Sequence, residues 1–430
     1  MTASTAPAST SRTAPRRART TRRRTELGLI VLVSLLIVGA YVLASLGRTS
    51  SMPANIGPFL AVILVVLGAG HLALRRFAPD ADPVLLPLAG LLNGIGYVFI
   101  ARLDRHLAGL QATWTMLGMI AFVATLVFVR QARDLERYRY TFALGGIFLL
   151  LMPLLPKVGQ NINGNRIWVR LGPLSFQPGE MAKIVLAIFL ASYLTERSEL
   201  LREFKGGIRV IGPVVLAWGF SLVVMTAERD LGSSLLFFAL FVAMVWVVTG
   251  RAAYLGLGGV LFIGGALFAY ESFGHVKDRV DIWLHPFRYL NGKGFQIVQS
   301  LFALGTGGIA GTGIGLGSPQ RIPAVQTDFI FSAIGEELGL FGTAAVLVAF
   351  LLIVGTGLRV AMRAHRDFEK VLAAGLTSIL AIQTFIIIGG VTRLVPLTGI
   401  TLPFVSYGGS SLLANYVLLA LLLRLSDQHE

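Results

Sequence analysis

Residues 27–46 read LGLIVLVSLLIVGAYVLASL, about 20 residues with no charge among them. At a helical rise of about 1.5 Å per residue this run crosses a hydrocarbon core of roughly 30 Å. It is also longer than the apolar region of a cleavable signal, so it predicts a membrane helix and not a leader. Working outward, comparable runs recur at 56–74, 83–101, 109–129, 140–155, 182–195, 208–226, 231–249, 252–270, 329–356, 371–392 and 403–425. The reading is an all-α polytopic membrane protein of about twelve transmembrane helices. Composition agrees: of 430 residues, 55% are hydrophobic and 14% charged, against about 25% charged in soluble domains. Mean hydropathy is +0.74. A soluble globular enzyme is excluded, and with no cysteine so are disulfides, thiolate metal sites and a cysteine nucleophile.

The net charge of +15 raises nucleic acid as a partner, but the basic residues sit mainly in short connections between apolar runs, as the positive-inside rule requires. Nucleic acid is therefore not an expected partner. Residues 1–25, with seven arginines between Arg12 and Arg24, read as a disordered basic cytoplasmic tail attracted to anionic lipid. With that tail inside, both termini are cytoplasmic, residues 427–430 forming a short second tail. Two connections, 156–181 and 271–328, lie outside and are too long for simple turns; long ordered connections are usually functional.

Ionisable groups at membrane depth are costly, so each calls for an explanation. In QPGEMAKI (177–184), Glu180 and Lys183 fall on one helix face. They form either a structural ion pair or a site where Lys183 meets an anionic head group. Asp230 stands before an apolar run, where helix capping is the plain reading. Asp328, Glu336 and Glu337 place three carboxylates within ten residues at a helix entrance, the pattern of a proton-accepting or cation-holding site. Arg166 and Arg170 flank Trp168, either as interfacial anchors or as a fork for phosphate oxygens. The scattered histidines and the absence of G-x-S-x-G give no support to zinc or serine hydrolysis. A G-x-G-x-x-A match at Gly305, Gly307 and Ala310 lacks the βαβ context of a nucleotide fingerprint.

Five blocks carry a resemblance: GNRIWVRLGPLSFQPGEMAK (164–183), ERDLGSSLLF (228–237), GFQIVQSLFALGTGGIAGTGIGLG (294–317), QTDFIFSAIGEELGLFG (326–342) and PLTGITLPFVSYGGSSLLANY (396–416). In these, and in their order, the chain resembles the RodA/FtsW (SEDS) family, nearest to actinobacterial-type RodA. The resemblance implies a ten-helix core over 81–426, with 26–80 as two additional N-terminal helices and 271–328 as an extracytoplasmic loop. It implies a peptidoglycan glycosyltransferase of the bacterial cytoplasmic membrane. Such an enzyme polymerises lipid II into β-1,4 glycan strands at the outer face during elongation, with a division-associated FtsW-type polymerase as the alternative branch. Its implied partners are a class B penicillin-binding protein transpeptidase, other elongation-complex membrane proteins and membrane lipids. The implied cofactor is a divalent cation, Mg²⁺ or Mn²⁺, with no organic cofactor.

Carried over by position, the resemblance makes Asp328 the catalytic carboxylate. Arg166, Trp168, Glu180 and Lys183 become substrate or pyrophosphate contacts, and Asp230, Gln296, Ser300, Glu336 and Ser406 line or support the cavity. The chain departs from the family pattern at Arg229, usually Pro, at Gly179, usually Ser, and at Arg393, where the family has no basic residue. A lipid flippase or proton-coupled transporter is the rival reading, and a non-catalytic scaffold a third. A transporter would carry acids in both halves near the midplane; these candidates cluster at outer helix ends.

Overall fold

A computed structural model of the chain describes residues 16–50, 52, 56–156, 158–162, 165–171, 174–202, 212, 219, 222, 223 and 230–427. The helices used below are α1 (Arg16–Thr49), α2 (Ile56–Phe77), α3 (Leu85–Leu103), α4 (Arg105–Phe128), α5 (Arg139–Leu151), α6 (Pro178–Glu196), α7 (Leu231–Thr249), α8 (Ala252–Ser272), α9 (Gly274–Leu284), α10 (Phe295–Gly307), α11 (Ile330–Arg363), α12 (Asp367–Val391) and α13 (Gly409–Asp427). Among the described residues, ten helices are long and apolar enough to cross a membrane. Of the twelve expected spans, 140–155 is the 13-residue α5 continued by a 3₁₀ turn. The span at 208–226 lies outside the described residues, apart from four helical positions. Helices dominate because a chain in hydrocarbon must satisfy its backbone within each segment.

Two local features differ from expectation. Helix α1 already begins at Arg16, so the arginines from there on are helical: an apolar helix, once nucleated, extends readily through Arg and Ala. The connection after α5 forms a small antiparallel sheet, β1 (Gly159–Ile162), β2 (Asn165–Leu171) and β3 (Leu174–Phe176), in the order β1-β2-β3. It leads directly into α6, whose Pro178 sits at a first-turn position where no N–H is needed.

Helices α1 and α2 dock on α3. The contact face of α3 carries Gly90 and Gly94, one helical turn apart; a Cβ on Gly94 would lie 2.1 Å from Ile37 Cδ1. This is the small-xxx-small solution for close helix approach in a bilayer. Near the start of α1, Glu26 is enclosed and receives His71 Nδ1 at 2.8 Å and the Arg75 guanidinium.

The two ends of the bundle are held differently. At one end the buried Arg424 of α13 donates to Leu126 O at 2.6 Å, to Val129 O at 2.8 Å and to Phe77 O. One guanidinium thus covers the carbonyl ends of α2 and α4, where the helix dipoles favour a cation. Asp80 N–H bonds to Asp427 Oδ1 there, and Arg22 donates to Asp80 O, so both ends of the described chain share this face. Arg424→Met is expected to cost about 2–4 kcal/mol, because it leaves several buried carbonyls unpaired. Thermal unfolding in micelles checks this; a midpoint equal to wild type would refute it.

At the opposite end, Arg48 donates to Arg102 O and Arg102 to Gly317 O, both at short range. Here the glycine-rich stretch 308–317 folds against the start of α11. Gly311, Gly313 and Gly315 adopt positive φ, and a Cβ on Gly311 would sit 2.2 Å from Glu337 O, so the close approach demands glycine. Helix α11 kinks at Gly339, φ 62°.

Candidate functional site

Asp328 lies where this end-loop meets α11. It is not a helix cap: the N-cap position is Phe329, with no side-chain hydrogen bond. The backbone before it is instead pinned to the segment between α12 and α13. Ser406 Oγ donates to Thr327 O at 2.6 Å while accepting from Leu402 N–H at 2.9 Å, and Tyr407 N–H donates to Gln326 O at 2.8 Å. A carboxylate on so braced a turn is held in one place, as a reacting group must be.

Asp328 opens on a cavity of about 230 Å³ lined also by Arg279, Trp283, Lys293, Gln296 and Arg393. Arg279 comes from α9, where the i, i+3, i+4 spacing puts Arg279, Ile282 and Trp283 on the cavity side. Its guanidinium donates to Leu397 O at 3.1 Å and Thr398 O at 2.7 Å. Trp283 Nε1 donates to Arg393 O at 3.0 Å, and Arg393 returns a bond to Leu284 O at 3.2 Å. Lys293 reaches Asp278 at 2.6 Å. Among the described residues the cavity lining therefore presents one carboxylate and three cations.

Burial pushes the Asp328 carboxyl up to about 6, with the Thr327 side chain and the Arg279 guanidinium pulling the other way. Burial lowers Arg279, and Asp230 and Asp328 oppose that. Asp230 is raised by burial, against two hydrogen bonds from Ser233. Those bonds, Ser233 N–H at 2.9 Å and Oγ at 2.6 Å, cap α7, so the capping reading of Asp230 holds. Glu228 and Arg229 lie outside the described residues.

The other sequence candidates fall into separate places. Lys183, only 2% exposed, donates to Glu180 at 2.6 Å and to Gln383 of α12 at 2.8 Å, and Gln383 passes the link to Thr401 O. This pair is a buried tie between α6, α12 and the segment leading to Ser406. Gln177, at the start of α6, donates to Asp230 at 3.5 Å. Arg166 and Trp168 stand on β2, Arg166 exposed and Trp168 opposite Gln160, and neither lines the Asp328 cavity. Gln296 does line it. Ser300 is buried one helical turn further on α10 and bonds Ser332 at 2.7 Å.

The expected three-carboxylate cluster does not form. Glu336 accepts from Ser318 N–H at 2.7 Å, and Glu337 accepts from Gly315 N–H at 2.9 Å and faces Arg102 at 2.6 Å. These two carboxylates turn toward the glycine loop because its free N–H groups and a buried arginine compensate their charge there. The G-x-G-x-x-A match straddles a helix end: Gly305 and Gly307 belong to α10, where a Cβ on Gly307 would sit 1.9 Å from Gly335 O, and only Ala310 lies in the glycine loop. Among the described residues, no group of three or more His, Asp or Glu could hold a metal ion. With Asp328 the sole carboxylate among the described residues that line a cavity of three cations, the side chains present make a poor cage for the expected Mg²⁺ or Mn²⁺.

Sequence reading missed Arg279, Trp283 and Lys293, and met Arg393 only as a departure. The available signal was the i, i+4 pairing of Arg279 with Trp283 inside a charged outer segment.

The cell cycle protein family model for FtsW, RodA and SpoVE matches residues 97–430. Peptidoglycan glycosyltransferase RodA of Mycobacterium tuberculosis is 44% identical over 425 residues, spanning 94% of this chain and 91% of that protein. Among solved structures, a chain of a peptidoglycan synthase complex that coordinates polymerization and crosslinking superposes with TM-score 0.69 at 27% identity, over 81% of this chain and 99% of that one. Thermus thermophilus rod shape determining protein RodA gives 0.57 at 26% identity, over 81% and 97%.

Proposed function

This chain belongs to the FtsW/RodA/SpoVE family of cell cycle proteins, and on that premise we propose that it is a membrane peptidoglycan glycosyltransferase in which Asp328 is the general base. The observation that carries the mechanism is the buried Asp328 carboxylate set among Arg279, Lys293 and Arg393 in one cavity. Lipid II holds its sugar through a diphosphate. In one inverting displacement the acceptor 4-hydroxyl attacks the anomeric carbon, the carbon–oxygen bond to the diphosphate breaks, and Asp328 takes the hydroxyl proton. Negative charge grows on the departing diphosphate, and fixed guanidinium and ammonium groups stabilise such charge without reorganisation. Guanidinium forks suit phosphate oxygens.

The end of the bundle bearing Asp328 faces outward and the Arg424 end faces the cytoplasm, with both termini inside. The basic connections near the Arg424 end support this orientation. The partner is a class B penicillin-binding protein, as the synthase complex among the structural relatives supports. The Lys183–Glu180–Gln383 tie acts by positioning the segment that holds Asp328, and β2 with Arg166 and Trp168 lies at the membrane surface.

The test is conversion of labelled lipid II by purified protein, with and without the transpeptidase. Long glycan strands are the expected product. Movement of lipid II across a vesicle bilayer without polymer would instead establish a flippase, and neither product would leave a scaffold.

A further inference from the structure

The segment between α12 and α13 is pinned on both sides of Gly399. Before it, Arg279 holds Leu397 O and Thr398 O. After it, Gln383 Nε2 donates to Thr401 O at 2.8 Å, and the buried Ile400 packs so close to α7 that a Cβ on Gly232 would collide with it. Gly399 itself is exposed and lines the Asp328 cavity, with φ 80° in the left-handed region.

Among the described residues, a Cβ on Gly399 would meet two heavy atoms within 4 Å, Asp328 Oδ2 at 3.6 Å and Arg279 Nη2 at 4.0 Å. Both are ordinary van der Waals distances, so the protein itself has room for a methyl group there. Glycine leaves open a space that borders the carboxylate and the guanidinium together. A general base needs its reacting atom within about 3 Å, and this is the space from which such an atom reaches Asp328. In an inverting displacement the attacking and leaving oxygens stand on opposite faces of the anomeric carbon, with the base on the attacking side. Lys293 and Arg393 lie beyond 4 Å of the place of the Cβ. The space beside Gly399 therefore belongs to the attacking hydroxyl and not to the departing diphosphate.

Resting on the glycosyltransferase reading above, we propose that Gly399 is a specificity-determining residue that admits the acceptor sugar: the ring bearing the attacking 4-hydroxyl lies against its bare Cα, within reach of Asp328. A purely backbone requirement for glycine makes the opposite prediction for one pair of variants. Asparagine enters the left-handed region more easily than alanine, but it fills more of the space.

The experiment uses the full-length protein with its transpeptidase in vesicles. A lipid II analogue with a capped 4-hydroxyl can only donate; with it saturating, lipid II is titrated as acceptor, and the donor is then titrated in turn. Gly399→Ala should lower kcat/KM for the acceptor about tenfold and Gly399→Asn about 10²-fold, the order of loss that follows about 1 Å of misplacement, with the donor KM within about twofold of wild type in both. Thermal midpoints should rank the other way, the asparagine variant above the alanine variant. Loss of folding in both variants, or activity that follows the midpoints, would mean that glycine serves the backbone alone and would overturn the proposal. Equal losses for donor and acceptor would mark a distorted site and overturn it too. A wild-type protein that joins no sugars would remove the glycosyltransferase reading and this inference with it, whereas the other adverse results remove this inference alone.

Discussion

If Asp328 is the general base proposed above, Asp328→Asn is expected to lower lipid II polymerisation by about 10²–10⁴-fold, the usual worth of such a group, while the protein elutes as wild type does. Asparagine keeps the size and the hydrogen-bonding shape, so the bracing by Ser406 and Tyr407 persists and only the proposed proton acceptor is lost. The wild-type pH profile follows from the same group. A base works deprotonated, and burial pushes this carboxyl up to about 6, so the rate should reach a plateau above that pH. Below it the rate should fall toward tenfold per unit of pH. Activity of the Asn variant within tenfold of wild type, or a wild-type rate that rises as pH drops below 6, would remove Asp328 from this role.

Arg279→Gln should lower the plateau by about 10²–10³-fold, the range seen when one preorganised charge-stabilising donor is removed. It should also move the acid limb upward. Arg279 is a cation that favours the charged form of Asp328, and without it the carboxyl holds its proton to higher pH. Arg279→Lys retains the charge but not the two-carbonyl grip on Leu397 and Thr398, and should return the limb toward its wild-type position with only partial recovery of the plateau. A merely structural role would lower the plateau in both variants and leave the limb where it was. Rate–pH profiles of the three proteins separate these outcomes.

The residues that were legible in advance are those whose meaning is local. Asp230 reads as a cap and is one, because a cap needs only its own helix start. Glu180 and Lys183 read as a pair and are one, because three residues of helix bring them together. Glu336 and Glu337 were misplaced for the opposite reason. Their neighbours along the chain say nothing of the glycine loop, some twenty residues upstream, that folds back to meet them. Arg166 and Trp168 form a compact motif in sequence, yet the hairpin that carries them stands outside the lining of the Asp328 cavity.

Membrane class and ten of the twelve expected spans could be read from sequence alone, since a transmembrane helix closes its own backbone bonds and shows itself by length and apolarity without reference to any partner. The cation set around Asp328 was decided only by the tertiary structure. Arg279 and Arg393 are joined through Trp283 across 110 positions of chain, and the same charges would be ordinary solvated residues on a loop that took another path. Which charge faces water and which faces a carboxylate depends on burial, and burial is a property of the packed molecule.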